Sequence, residues 1–261
     1  KNPAFPNTEI ESLRRRSLIE ITQRKSRPSG ISGVVFNKVL YGDQPYGRNT
    51  TESSLKAITR DDLVNFHQMN YVPNNGTLII VGDVDSKTML PKLESGFANW
   101  KSGKPSPVPS TAQTMQGKPG IYIIDKPGAA QSTIAIGAVG LDRSNPDYYT
   151  VQVMNAILGG SSGRLYKVLR EEKGYTYGAY SSYQFRKNAG PFRAGGDFQT
   201  DSTKESVSEL IKQIDGMRGA IPVTQAELNK SKQNAINGYP QQFETVDQIS
   251  RQLSDLAAYD L

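Results

Sequence analysis

Residues 101–118, KSGKPSPVPSTAQTMQGK, interrupt the periodic hydrophobic pattern that runs on either side of them. Pro105, Pro107 and Pro109 fix φ and lack an N–H, so this stretch suits neither a helix interior nor a central strand and reads as an extended linker. A chain broken in this way must bury its apolar residues in two places. The expected division is residues 1–100, a linker at 101–118, and residues 119–261. A length of 261 residues is enough for two domains of ordinary size.

Ahead of the break, FPNTEIESLRRRSLIEITQ is expected to form a helix, with Thr8 and Glu11 at capping-box spacing and Pro28 just past its end. VVFNKVLY is a shorter helix. Thr59 and Asp62 open a further one, DDLVNFHQMNY, and MLPKLESGFANW reads as another. TLIIVGDV is an apolar run of strand length. Past the break, GIYIIDKPG and STIAIGAVG read as strands, PDYYTVQVMNAILGG as a helix, and RLYKVLREEKG as a shorter helix stopped by Gly174. YTYGAYSSYQF and GPFRAGGDF form a strand pair. Three helical segments close the sequence, the second opened by Thr224 and Glu227. This mixture points to an α+β fold, with helices covering one face of a mainly antiparallel sheet in each half.

Several functions are disfavoured by what the chain lacks. It has no cysteine and one histidine, His67, so it cannot assemble a zinc site of the usual His and Cys ligands alone. A Cys–His pair is excluded, and a Ser–His–Asp triad would need His67, which sits in a helix-like segment and reads as a packing or surface residue. The net charge of +6 is scattered, its densest run being Arg14, Arg15 and Arg16, and no nucleic-acid-binding signature accompanies it. No run approaches the ~18–20 apolar residues of a membrane helix. The loop GGSSG lacks the lysine and hydroxyl of a phosphate-binding loop. Absent cysteine suits an exported bacterial protein. The first residue is Lys, and a fragment or processed product is expected.

The block LGGSSGRLYKVLREEKGYTYGAY carries the most chemistry. Arg170 falls in the last turn of its helix, Gly174 at the exit, and Tyr177 in the strand that follows. Strict alternation would send Tyr175, Tyr177 and Ala179 to one face and Thr176, Gly178 and Tyr180 to the other. A guanidinium and a phenol from adjacent elements can converge on one spot and bind an oxyanion or carbonyl. A helix-terminal cation beside core-packing tyrosines is the competing structural interpretation.

That block resembles the M16 family of zinc metallopeptidases, which includes pitrilysin, insulin-degrading enzyme and the mitochondrial processing peptidase. GGSSGRL and LREEKGYTY resemble the family's second-half signature, and LYGDQPYGR, AITRDDLVNFHQMNYVPNNGTLIIVGDV and VTQAELNKSKQNAING agree in the same order. The resemblance implies two homologous halves, the first incomplete. It implies that Arg170 and Tyr177 hold the substrate carbonyl, with Gly159, Gly160, Ser161, Ser162 and Arg164 shaping the neighbouring substrate-binding loop. The family's His-x-x-Glu-His zinc motif is absent from this sequence. By register, Glu20 matches the family's third metal ligand, with Glu11 as the alternative. Zinc is therefore expected in the complete protein or complex, with none bound by this segment alone. The implied partners are a peptide or unfolded protein and, in some arrangements, a second M16-like subunit or a homodimer, without nucleic acid or a transmembrane segment. The alternative is a non-catalytic M16-like subunit that binds peptide or supports assembly. A bacterial periplasmic or membrane-associated export compartment fits family habit.

Overall fold

The computed structural model describes residues 2–107 and 117–261. In chain order they form α1 (Asn7–Ser26), α2 (Pro28–Tyr41), α3 (Glu52–Ala57), α4 (Arg60–Asn70), α5 (Ser86–Phe97), β1 (Gln131–Val139), α6 (Tyr148–Gly159), α7 (Arg164–Tyr166), β2 (Thr176–Tyr183), β3 (Pro191–Gln199), α8 (Thr203–Gly216), α9 (Gln225–Gly238) and α10 (Val246–Tyr259). α7 runs into a π-helical turn at Lys167–Glu172. The described residues group into two compact units. One draws on Lys1–Gln23, Thr50–Pro109 and Gln241–Leu261, the other on Arg24–Asn49 and Ser110–Pro240. α2 thus joins the later unit and α10 the earlier one, an interleaving that the position of the proline-rich break does not suggest. The middle of that break, 108–116, lies outside the described residues.

The first unit is helical. Arg14 of α1 pairs with Glu11 at 3.1 Å, donates to the Ile58 carbonyl at 2.7 Å and also donates to the Leu55 carbonyl. Those carbonyls sit at and just past the end of α3, where backbone acceptors lack intrahelical donors. α4 starts at the expected capping box: Thr59 Oγ1 accepts from the Asp62 N–H (3.1 Å), and Asp62 Oδ2 accepts from the Thr59 N–H (2.8 Å). The box expected at Thr8 and Glu11 does not form. α1 already begins at Asn7, and the Pro6 carbonyl takes the N–H groups of Glu9 and Ile10, both at 3.1 Å.

Two expected strands are missing. Among the described residues, 77–84 and 120–128 pair with no other strand. Ile121 and Ile123 are each 87% exposed. A strand needs a cross-strand partner as well as propensity, and propensity alone leaves such runs unpaired.

The second unit is built on a three-stranded antiparallel sheet of order β1-β3-β2. Ile134, Ala194, Phe198 and Ala179 point inward and meet Leu158, Leu165, Leu169 and Leu210 in one core. Burial of each leucine stabilises the fold by roughly 1.5–3 kcal/mol. The opposite face carries Gly137, Arg193 and Ser182 in one cross-strand row, and Ala135, Gly195 and Tyr180 in the next. Phe36 of α2 rests over Gly137, where a Cβ would lie 2.5 Å from the ring.

β2 does not alternate as its sequence suggests. Thr176 pairs with Phe198 but Ala179 pairs with Gly196, so three steps on β2 match two on β3. This is a one-residue bulge. Thr176 fastens it, accepting from the Gly178 N–H at 3.0 Å and donating to the Asp197 carbonyl at 2.5 Å. Thr176, Ala179 and Ser181 are consequently buried, while Tyr177 and Tyr180 both come to the exposed side.

Candidate functional site

Arg170 and Tyr177 approach each other through two local irregularities. α7 packs Leu165 and the π-helical turn after it packs Leu169 into the core, both fully buried, which holds the segment against the sheet. The π-helical turn then widens the last turn, with the Lys173 N–H reaching the Val168 carbonyl at 3.1 Å. Gly174 reverses the chain at φ 68°, a left-handed conformation that glycine adopts without steric cost. The bulge in β2 follows directly. The outcome is a guanidinium 4.2 Å above the Tyr177 ring and 5.0 Å from the Tyr166 ring. Tyr166 lies 6.1 Å from Tyr180, whose ring folds back over Gly178.

A guanidinium stacked on a ring still presents its N–H edges. Among the described residues Arg170 has no hydrogen bond or ion pair and the Tyr177 hydroxyl has no hydrogen bond, and Tyr177 is 81% exposed. The pair can therefore offer several donors to an acceptor arriving from solvent. Tyr166 and Tyr180 belong to the same cluster and were not anticipated from the sequence. The four-residue spacing of Tyr166 and Arg170 was a usable signal, because residues so spaced on a helix are neighbours. The role of Tyr180 depended on the bulge, which strict alternation hides.

The loop residues act differently from one another. Gly159 ends α6 fully packed against β2, and a Cβ there would stand 2.0 Å from the Ser181 nitrogen. Gly160 accepts from the Gly163 N–H at 2.8 Å, forming the turn into α7, and Ser161 and Ser162 are exposed on it. Arg164 points away from Arg170 in its bonding. Its Nε and one Nη reach both carboxylate oxygens of Glu227 at 2.6 Å, and it donates to the Ile221 and Pro222 carbonyls at 2.6 and 2.9 Å. With its donors so committed, Arg164 braces the start of α9 against α7.

Glu227 also caps α9 through Thr224, as the sequence suggested. Arg164, and then the Thr224 cap, hold its carboxyl at about 2, down from an ordinary 4.5. A depressed carboxylate adds stability that is present above its unfolded value and disappears as pH falls toward the folded one. Since about a third of the Glu227 side chain is exposed, the contribution is set at roughly 1–3 kcal/mol after allowance for solvent screening. Glu227→Gln is expected to lose that amount at pH 7, and urea melts should show the difference from the parent protein shrinking between pH 4.5 and pH 2. A difference that stays constant across that window would refute the ion-pair account.

The glutamates considered as metal ligands lie on α1. Glu11 is paired with Arg14 at 3.1 Å, and Glu20 is exposed. Among the described residues, no three His, Asp or Glu side chains gather closely enough to hold a metal ion. These residues do not fit a zinc site by themselves, and Glu20 or Glu11 could supply at most one ligand of a set completed elsewhere. No helix among the described residues is long and apolar enough to cross a membrane.

Comparisons with known proteins identify the family and the fold. An uncharacterized zinc protease of Mycobacterium leprae is 28% identical over 187 residues, covering 70% of this chain and 42% of the relative. One from Rickettsia bellii is 28% identical over 238 residues, covering 89% and 56%. The chain thus spans about half the length of the curated relatives it matches. The crystal structure of a peptidase M16 inactive domain from Pseudomonas fluorescens superposes with a TM-score of 0.89 at 25% identity, covering all of this chain and 62% of the other. A protease from Helicobacter pylori shares the fold with a TM-score of 0.82 at 22% identity, covering 98% and 63%. The family model described as the peptidase M16 inactive domain matches residues 57–235, and the chain belongs to that family.

Proposed function

We propose that this chain supplies the substrate-holding arginine and tyrosine of an M16-type zinc-dependent peptidase and carries no zinc motif of its own. The observation that carries this reading is Arg170, stacked 4.2 Å over Tyr177 with no hydrogen bond or ion pair among the described residues. Its N–H edges and the Tyr177 hydroxyl are suited to a peptide carbonyl, and better suited to the same oxygen once it gains charge. Zinc belongs to the complete protein or complex, as the names of the relatives suggest. The test is peptide turnover by that complete protein with Arg170→Ala or Tyr177→Phe. Full activity in both variants would overturn the assignment.

A second reading, a non-catalytic M16-like subunit for peptide binding or assembly, is favoured by the lack of a metal-ligand cluster among the described residues. Metal analysis of the natural full-length protein, purified alone, excludes the non-catalytic reading if zinc is found, and about one zinc per chain is expected of a self-sufficient peptidase. A zinc-free chain is either the arginine and tyrosine partner of a zinc-bearing companion or a non-catalytic subunit, and turnover by its complex with Arg170→Ala then separates those.

A further inference from the structure

The outer face of the sheet holds a second arginine whose donors are unused. Arg193 lies on β3, between Gly137 on β1 and Ser182 on β2. It is half-buried, and its guanidinium stacks 5.6 Å from the Phe36 ring. Among the described residues it has neither a hydrogen bond nor an ion pair. Three other arginines of the same unit are bonded: Arg164 to Glu227 and two carbonyls, Arg48 to the Asp43 carbonyl, and Arg186 to Gln184. The carboxylate on Arg193's own strand is Asp197, two cross-strand rows away along the outer face, and it is engaged by Thr133 at 2.5 Å.

Arg193 lines a cleft of about 200 Å³ together with Tyr180, Ser181, Ser182, Gly195 and Gly196. The two glycines give it a floor without side chains. Its volume is below the ~300 Å³ at which pockets begin to enclose whole small ligands, so it suits one side chain or one chain terminus. Tyr180, which lines the cleft, also lies 6.1 Å from Tyr166 of the cluster at Arg170. The cleft is therefore linked to the Arg170–Tyr177 pair through Tyr180 and Tyr166.

We propose that the Arg193 cleft is a carboxylate subsite, which binds an acidic side chain or the C-terminal carboxylate of a peptide held at Arg170 and Tyr177. This rests on the peptide-binding reading of that pair. A forked guanidinium matches the two oxygens of a carboxylate, the Ser182 hydroxyl beside it adds a donor, and Phe36 limits its hydration on one face.

The test is calorimetric titration of the complete protein, stripped of metal by a chelator so that it does not turn over, with N-acetylated peptides at low salt, the first two also amidated at the C-terminus. One carries a central Gln, the second a central Glu, and the third keeps the Gln but ends in a free carboxylate. The second or the third is expected to bind about tenfold more tightly than the first, and which one does so identifies the source of the carboxylate. Arg193→Gln should abolish the difference, and Arg193→Lys, which keeps the charge without the fork, should retain part of it. Arg170→Ala should weaken all three peptides alike. Equal affinity for the three peptides, or a preference that survives Arg193→Gln in a variant with an unchanged melting temperature, overturns the subsite while leaving the Arg170 reading intact. If no peptide binds the unmodified complete protein, the Arg170 reading fails and the subsite with it.

Discussion

Replacing Arg170 by alanine is expected to lower peptide turnover by the complete protein about 100- to 1,000-fold, the usual cost of one donor aimed at a developing oxyanion. The same change should affect stability far less. Arg170 has no ion pair among the described residues to break, and it gives up two ring contacts, with Tyr166 and Tyr177. Exposed contacts of this type contribute about 0.5–1 kcal/mol each. Arg170→Lys should fall between, since it keeps the charge and loses the fork. Tyr177→Phe removes only the hydroxyl and keeps the stacked ring. Its turnover is expected to fall about 10- to 100-fold with the melting temperature unchanged. Steady-state kinetics beside thermal melts would check both variants. A large fall in melting temperature without a fall in turnover would make the pair structural.

Gly159→Ala is expected to be the most damaging single change in the loop, through stability and not through substrate. The added methyl would stand 2.0 Å from the Ser181 nitrogen and 2.1 Å from its Oγ, inside a helix–strand contact with no room to relax. That contact is also hydrogen-bonded: Ser181 Oγ meets Asn155 Oδ1 at 2.7 Å, and the Asn155 amide donates to the Ser181 carbonyl at 3.2 Å. Moving α6 off β2 would break both bonds and open the core around Leu158. A loss of about 3 kcal/mol or more follows, or a melting temperature lower by roughly 10 °C for a chain of this size. If Gly159 instead served the substrate directly, alanine would leave the melt intact and raise KM.

The sequence disclosed the elements whose information is local. The capping boxes at Thr59 and Thr224, the stop at Gly174, the strands β1, β2 and β3, and the closeness of Arg170 to Tyr177 all depend on residues a few positions apart. What it concealed depends on partners distant in sequence. Runs 77–84 and 120–128 look like strands in isolation, yet they find no ladder among the described residues. The strand at Tyr177 looked strictly alternating because the bulge is held by Thr176 bonding to Asp197, 21 positions on. Arg164 looked like part of a substrate loop because its partner, Glu227, is 63 residues away. Gly159 is expected from the sequence to end its helix and shape the neighbouring loop, and only the proximity of Ser181 shows why it has no side chain.

The π-helical turn and the bulge share a property that concerns counting more than chemistry. Each inserts one residue beyond the regular repeat, one just before Gly174 and one just after it. A regular α-helix turns about 100° per residue, and a strand inverts its facing with every step. Deleting Lys167 or Val168 would shift the phase of Arg170 against Leu165, and deleting Glu171 or Glu172 would shift it against Tyr177. Deleting Gly178 would remove the bulge and, with it, the Thr176 hydrogen bond to the Gly178 N–H that sets the position of Tyr177. Insertions and deletions in these dozen or so positions should therefore be tolerated far less than substitutions, because the arrangement is written in spacing as much as in residue type.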